Sequence, residues 1–251
     1  GYLYETGFGV ERNISESFKY YNISSKQGNP KGIFRVGRCY DHGIGVKQDF
    51  KKAKEYYEIL AKLNDAHVSC NLGFLYENYT KAKEYYERSS ELGNSYAIFC
   101  LGSLYEKGLG VERNYAKAKE YYERSSELGN SNGLCCLGIL YKEGLGVERN
   151  YSKAKEYYER SSELGNSYAL YNLGSLYEKG LGVERNYSKA KKYYEKSSEL
   201  GNSYAFCCLC LLYEKGMGVE RNYRKAKDYY KKSSDLQWFR KTISEILHLL
   251  F

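Results

Sequence analysis

The phrase Gly-x-Gly-Val opens at Gly108, Gly144, Gly180 and Gly216, each time 36 residues after the last. That period rules out a conventional layered core. Each copy is one supersecondary unit, too small to bury its own apolar face, so copies must stack and bury it against their neighbours. The copies read as 1–29 (partial), 30–64, 65–93, 94–129, 130–165, 166–201 and 202–236, with unrelated sequence from 237 to 251. The chain opens at Gly1-Tyr2-Leu3-Tyr4, the middle of the recurring pattern. The natural N-terminus is therefore expected to lie upstream, and no conclusion about a signal peptide follows.

Each copy holds two helical stretches. In residues 94–129 the first runs Ser95 to Lys107, with Ala97, Leu101, Leu104 and Tyr105 on one apolar stripe at helical spacing. Gly108 and Gly110 stop it, Val111 anchors the loop, and Asn114 has the chemistry of an N-cap for a second helix, Tyr115 to Leu128. Ala118, Tyr122 and Ser125 should face inward, and Glu120 and Arg124 should pair outside. Gly102, repeated as Gly73, Gly138 and Gly174, costs about 1 kcal/mol of helix propensity. Close helix approach would offset that cost. The expected fold is all-α, an α/α solenoid of antiparallel helix pairs without strands.

Composition narrows the function classes. With 31 tyrosines against one tryptophan and one proline, much of the interior must be phenolic, and buried hydroxyls need partners. No apolar run is long enough for a membrane span. The net charge of +8 is not a stripe: residues 94–129 are neutral, and the excess sits in Lys31–Lys62 and Arg224–Lys241. Nucleic acid is not the expected partner.

The motif Ala97-x-x-x-Leu101-Gly102-x-x-Tyr105-x-x-Gly108-x-Gly110-Val111-x-x-Asn114-x-x-Lys117-Ala118-x-x-Tyr121-Tyr122-x-x-Ser125-Ser126-x-x-Gly129 resembles the Sel-one-like repeat, a relative of the tetratricopeptide repeat. The resemblance covers nearly the whole chain in six or seven units. Ser125-Ser126 depart from the family's usual alanines, and Asn114 from its frequent aspartate. The resemblance implies a right-handed superhelix that acts as a non-catalytic adaptor for a protein or peptide, monomeric and without cofactor or metal. In the related tetratricopeptide arrays the first helix of each unit lines the concave surface. By motif that face holds Tyr96, Phe99, Ser103, Glu106 and Lys107 in one unit. The matching positions are Phe34, Arg38 and Asp41; His67, Cys70, Phe74 and Glu77; Cys135, Ile139 and Lys142; Tyr168, Tyr171, Ser175, Glu178 and Lys179; and Tyr204 with Leu211. These positions vary among copies while the second helices barely change, and they are rich in aromatic groups. Phe99 and Tyr171 are the expected anchors, with Lys107 and Lys179 selecting acidic neighbours.

Other signals favour structural readings. The Gly-x-Gly-Val phrase lacks the preceding strand and third glycine of a dinucleotide loop. His42, His67 and His248 share no catalytic spacing. Some secreted members of the family are disulfide-rich, joining the two helices of one unit. Here Cys39, Cys70, Cys100, Cys135, Cys136, Cys207, Cys208 and Cys210 all fall on first helices, which predicts free thiols and a cytoplasmic protein. The sequons at Asn13, Asn22, Asn78, Asn150 and Asn186 in several cases coincide with helix caps. A single-stranded RNA reader using tyrosine stacking, and a disulfide-rich secreted protein with weak hydrolase-like activity, are the alternatives. Two local expectations complete the reading. Residues 237–251 should form a capping helix with Phe239, Ile243, Ile246, Leu247 and Leu250 buried. The shortened copy should make a hairpin turning at Asn78-Tyr79 rather than one fused helix.

Overall fold

The computed structural model describes residues 1–62, 66–76 and 78–233. Among these every regular element is an α-helix, and consecutive helices pack in pairs, as a repeat solenoid requires. The chain forms two compact units, Gly1–Ser125 and Ser126–Phe251. The first contains α1 (Tyr2–Thr6), α2 (Ile14–Lys26), α3 (Pro30–His42), α4 (Phe50–Ala61), α5 (Ala66–Leu75), α6 (Tyr79–Glu91), α7 (Ser95–Lys107) and most of α8 (Tyr115–Glu127). The second contains α9 (Ser131–Glu143), α10 (Tyr151–Glu163), α11 (Ser167–Lys179), α12 (Tyr187–Glu199), α13 (Ser203–Lys215) and α14 (residues 223–233).

Asparagine starts most of these helices. Asn94 Oδ1 accepts from the Tyr96 and Ala97 amides, both at 3.0 Å, satisfying donors that have no intrahelical partner. Asn13, Asn78, Asn150 and Asn186 cap in the same way, so four of the five sequon asparagines hold helix starts. Asn22 instead lies inside α2. Gly108 ends α7 at φ 71°, its amide reaching the Leu104 carbonyl at 2.9 Å. The loop then folds so closely onto the start of α6 that a β-carbon on Gly110 would lie 2.8 Å from Tyr79 backbone carbon.

The core is built from one repeated contact. Tyr57, Tyr122, Tyr158 and Tyr194 are fully buried, each against the recurring glycine of the preceding helix. A β-carbon on Gly102 would come within 2.6 Å of the Tyr122 ring. Close approach is thus the return on the helix cost, and it is approach to a ring rather than to backbone. The Tyr121-Tyr122 doublet divides its work: Tyr122 fills the core, while Tyr121 stacks on Tyr105 at 5.5 Å. The serines that replace alanine are used. Ser125, Ser161 and Ser197 donate to the carbonyls of Ser95, Ser131 and Ser167 at 2.7, 2.8 and 2.7 Å, tying the second helix to the first.

Three local expectations meet different fates. The surface ion pair is Lys119–Glu123 at 2.6 Å, echoed at Lys83–Glu87, Lys155–Glu159 and Lys191–Glu195, not Glu120–Arg124. Arg124 instead donates to the Ser90 carbonyl at 3.2 Å, because its longer side chain reaches the preceding repeat. The shortened copy is a hairpin, with α5 packed on α6. Its turn falls one to two residues earlier than expected, since Asn78 is the N-cap and Tyr79 is already helical. Asn78 Oδ1 accepts from the Thr80 and Lys81 amides, which starts the helix at the earliest residue an asparagine cap allows. The capping helix proposed for 237–251 lies outside the described residues.

Candidate functional site

The first-helix positions carry continuous aromatic bands within each compact unit. In the first, Phe74 touches Tyr86 and Tyr96 at ring separations of 5.5 and 5.6 Å. Tyr96 then meets Phe99 at 5.5 Å, and Phe99 meets Tyr122 at 5.8 Å. Phe34 packs on Tyr57 at 6.0 Å. In the second unit Tyr171 bridges Tyr194 and Tyr204, both at 5.9 Å. Phe74, Tyr96, Tyr168, Tyr204 and Leu211 are exposed, whereas Phe34, Phe99 and Tyr171 are half-buried with one face on the core. Such residues are anchored yet accessible.

Two clefts of about 510 Å³ each open on this face of the first unit. Phe34, Arg38, His42, His67 and Asn71 line one; His67, Cys70, Asn71, Phe74 and Tyr96 are among the walls of the other. The structure therefore joins Phe34, Arg38, His67, Phe74 and Tyr96, which come from three successive first helices. His42 and Asn71 also line the clefts and were not among the expected residues. Their positions follow by helix spacing from Arg38 and His67, one turn further along the same faces.

The charged positions on this face are not equivalent. Glu106 accepts the Tyr122 hydroxyl, Glu178 accepts that of Tyr194 at 2.6 Å, and Asp41 accepts that of Tyr57 at 3.4 Å. These carboxylates serve the phenols of the core. Burial pushes the Tyr57 and Tyr194 phenols up, and the adjacent carboxylates add to it. Burial likewise raises Asp41, opposed by His42, by the Tyr57 hydroxyl and by Arg38. Lys107 and Lys179 remain exposed. The face thus turns carboxylates inward and leaves ammonium groups outward. Lys142 is half-buried and meets Glu143 at 3.0 Å.

Not every expected residue is available to a partner. Ser175 is only 7% exposed, and Cys70 and Cys135 are buried, because these positions turn toward the neighbouring repeat. Ser103 and Ile139 are half-buried, Ile139 against the cluster around Tyr158. Glu77 lies outside the described residues. All eight cysteines are free thiols. Burial pushes Cys39 up to about 11, and Cys70 and Cys135 to about 12, far from the thiolate form that reacts or ligates. Among the described residues no group of three or more histidine, cysteine or acidic side chains could hold a metal, and no helix is long and apolar enough to cross a membrane.

Known proteins carry the same architecture. No curated protein matches the chain in sequence. A Sel1 repeat protein from Oxalobacter formigenes superposes with a TM-score of 0.77 at 28% identity, over 89% of this chain and 99% of its own. A protective antigen present in uropathogenic Escherichia coli strains, displaying an SLR fold, gives 0.68 at 32% identity over 93% of this chain. The present chain spans 52%, about half, of that antigen's length. An immunity protein of Pseudomonas aeruginosa shares the fold, with a TM-score of 0.60 at 22% identity over 82% of this chain and 81% of its own. The Sel1 repeat profile matches residues 1–29, 30–65, 71–94, 95–130, 134–166, 167–202 and 206–241. Seven matches in tandem, on stacked helix pairs, make this chain a member of the Sel1 repeat family.

Proposed function

We propose that the protein is a non-catalytic adaptor whose first-helix faces bind an extended peptide or a helix of a partner protein. The observation that carries this reading is the aromatic band Phe74–Tyr96–Phe99, half in the core and half in solvent, beside a cleft that Phe74 and Tyr96 line. Rigid aromatic groups with one face held by the scaffold supply contact area at little entropic cost, which is why they dominate binding energy at interfaces. The second unit offers the equivalent band at Tyr171 and Tyr204. Because Glu106 and Glu178 are committed to tyrosine hydroxyls while Lys107 and Lys179 are exposed, acidic residues beside the partner's apolar anchors are favoured.

A pull-down from native lysate tests the assignment, comparing wild type, Phe99→Ala/Tyr171→Ala, Lys107→Glu/Lys179→Glu and an outer-face Glu123→Ala control. Loss of partners from the first two variants, with helicity retained by circular dichroism, is the expected result. If the outer-face control loses partners while both groove variants keep them, the binding surface is the opposite one.

A further inference from the structure

Four core tyrosines donate their hydroxyls to a carboxylate 16 residues earlier: Tyr21 to Glu5, Tyr57 to Asp41, Tyr122 to Glu106 and Tyr194 to Glu178. Tyr158 breaks this rule. Its ring is seated as its sisters' are: a β-carbon on Gly138 would lie 2.4 Å from Cε1, against 2.5 Å at Gly174 and Tyr194. The side chain is 0% exposed, and its hydroxyl has no acceptor among the described residues. The position that should supply one is Lys142. This repeat reads Tyr141-Lys142-Glu143, where its neighbours read Tyr105-Glu106-Lys107 and Tyr177-Glu178-Lys179.

The two charges have exchanged places, and the consequence is chemical. An ammonium has donors only, so Lys142 cannot do for Tyr158 what Glu178 does for Tyr194. Glu143, one residue on, lies roughly 100° further around the helix; its charge still acts on the phenol, but it makes no hydrogen bond to it. It is half-exposed and contacts Lys142 Nζ at 3.0 Å. The site therefore holds one buried O–H donor without an acceptor, beside a lysine that is paired only with Glu143.

We propose that Lys142 and Tyr158 together receive one carboxylate of the bound partner, an aspartate or glutamate side chain that replaces the acceptor this repeat lacks. The proposal rests on the first-helix face being the binding surface, and it names the chemistry read there. The incoming carboxylate accepts a hydrogen bond from Tyr158 and pairs with Lys142 Nζ, both interactions being charge-assisted. Lys142 gives up only a solvated pair with Glu143, of a kind that contributes little. The hydroxyl is shielded in the free chain, so the flexible stem of Lys142 moves aside as the carboxylate enters. An unpaired buried hydroxyl is a standing penalty, and a neutral or cationic ligand group would not relieve both halves of it.

Acetate is the probe, compared with neutral acetamide and with chloride at equal ionic strength. Its binding to the whole chain is followed by the amide resonances of α9. Two variants accompany wild type. K142E/E143K restores the order of the sister repeats at unchanged composition, and Tyr158→Phe removes only the unpaired hydroxyl while keeping the ring. Saturable shifts with acetate alone are expected in wild type, weakened by about tenfold or more in both variants. The exchange should also raise the melting temperature, because the phenol regains an acceptor. Acetate that behaves like chloride in wild type, equal saturation in K142E/E143K, or an exchange that leaves the melting temperature unchanged would each overturn the proposal. If Phe99→Ala/Tyr171→Ala keeps its partners while acetate behaves as expected, the aromatic-face reading fails and the carboxylate site stands.

Discussion

Two neighbouring repeats of the second compact unit hold the same tyrosine differently. In residues 166–201, Gly174 leaves room for the Tyr194 ring: a β-carbon there would lie 2.5 Å from Cε1, the ring is 0% exposed, and the hydroxyl reaches Glu178 at 2.6 Å. In residues 202–233, Cys210 stands at the glycine position, and the equivalent Tyr230 is 67% exposed. Glu214 is still present to accept a hydroxyl, and the Tyr-Tyr doublet is still present to offer one. Burial of the ring thus goes with both the glycine seat on α11 and the α13 residues Ala205, Leu209 and Leu212 of the next repeat, neither of which Tyr230 has among the described residues. The tyrosine alone does not determine it.

The contrast can be broken most directly at the rings. Tyr194→Ala should cost about 3–5 kcal/mol by urea denaturation, as large aromatic deletions in tight cores do, and Tyr230→Ala should stay within about 0.5 kcal/mol. Similar losses at both sites would remove the distinction. The glycine sharpens it. Gly174→Ala adds helix propensity of about 1 kcal/mol but forces the ring out, so a net loss of about 1–3 kcal/mol is expected, against a near-neutral Cys210→Ala. A stabilised Gly174→Ala would mean that the ring is not tightly seated.

The smallest effect is on pH. Burial raises the Tyr57, Tyr158 and Tyr194 phenols, with desolvation the largest cause in each. Their unfolded value is about 10, so the stability they contribute is complete below that pH and is lost as pH rises above it. The urea midpoint should therefore fall as pH rises through about 10 toward 11, with the buried fraction of tyrosinate absorbance appearing only on unfolding. Full tyrosine ionisation in a still-helical chain would show that these hydroxyls are accessible.

Much of this was legible before any coordinates. Gly108 and Asn114 announce helix ends by chemistry that acts within a few residues, and the structure places both where expected. The hairpin in the shortened copy was legible too, since one fused helix would have exposed two apolar stripes. Its exact turn was not, because Asn78 and Tyr79 read together as the turn, whereas Asn78 caps α6 and Tyr79 is already helical. The partner of Arg124 was misread because helical spacing describes one helix only, and Ser90 belongs to another. Ser175, Cys70 and Cys135 share a motif face with Tyr171 and Phe74, yet all three are buried, and Cys70 and Cys135 end inside the core shared with the next repeat.

The sequence by itself determined the period, the helix pairs, their caps and the identity of the core tyrosines, since each is specified by local conformational preference or by short apolar spacing. Only the tertiary structure decided what those tyrosines meet. The 16-residue interval from Glu178 to Tyr194 is present in the chain but has no meaning along it. It becomes a hydrogen bond when α12 folds back on α11, and the same fold leaves the Tyr158 hydroxyl without an acceptor among the described residues. Local rules end with the helix; desolvating a phenol is a matter of what lies across the gap.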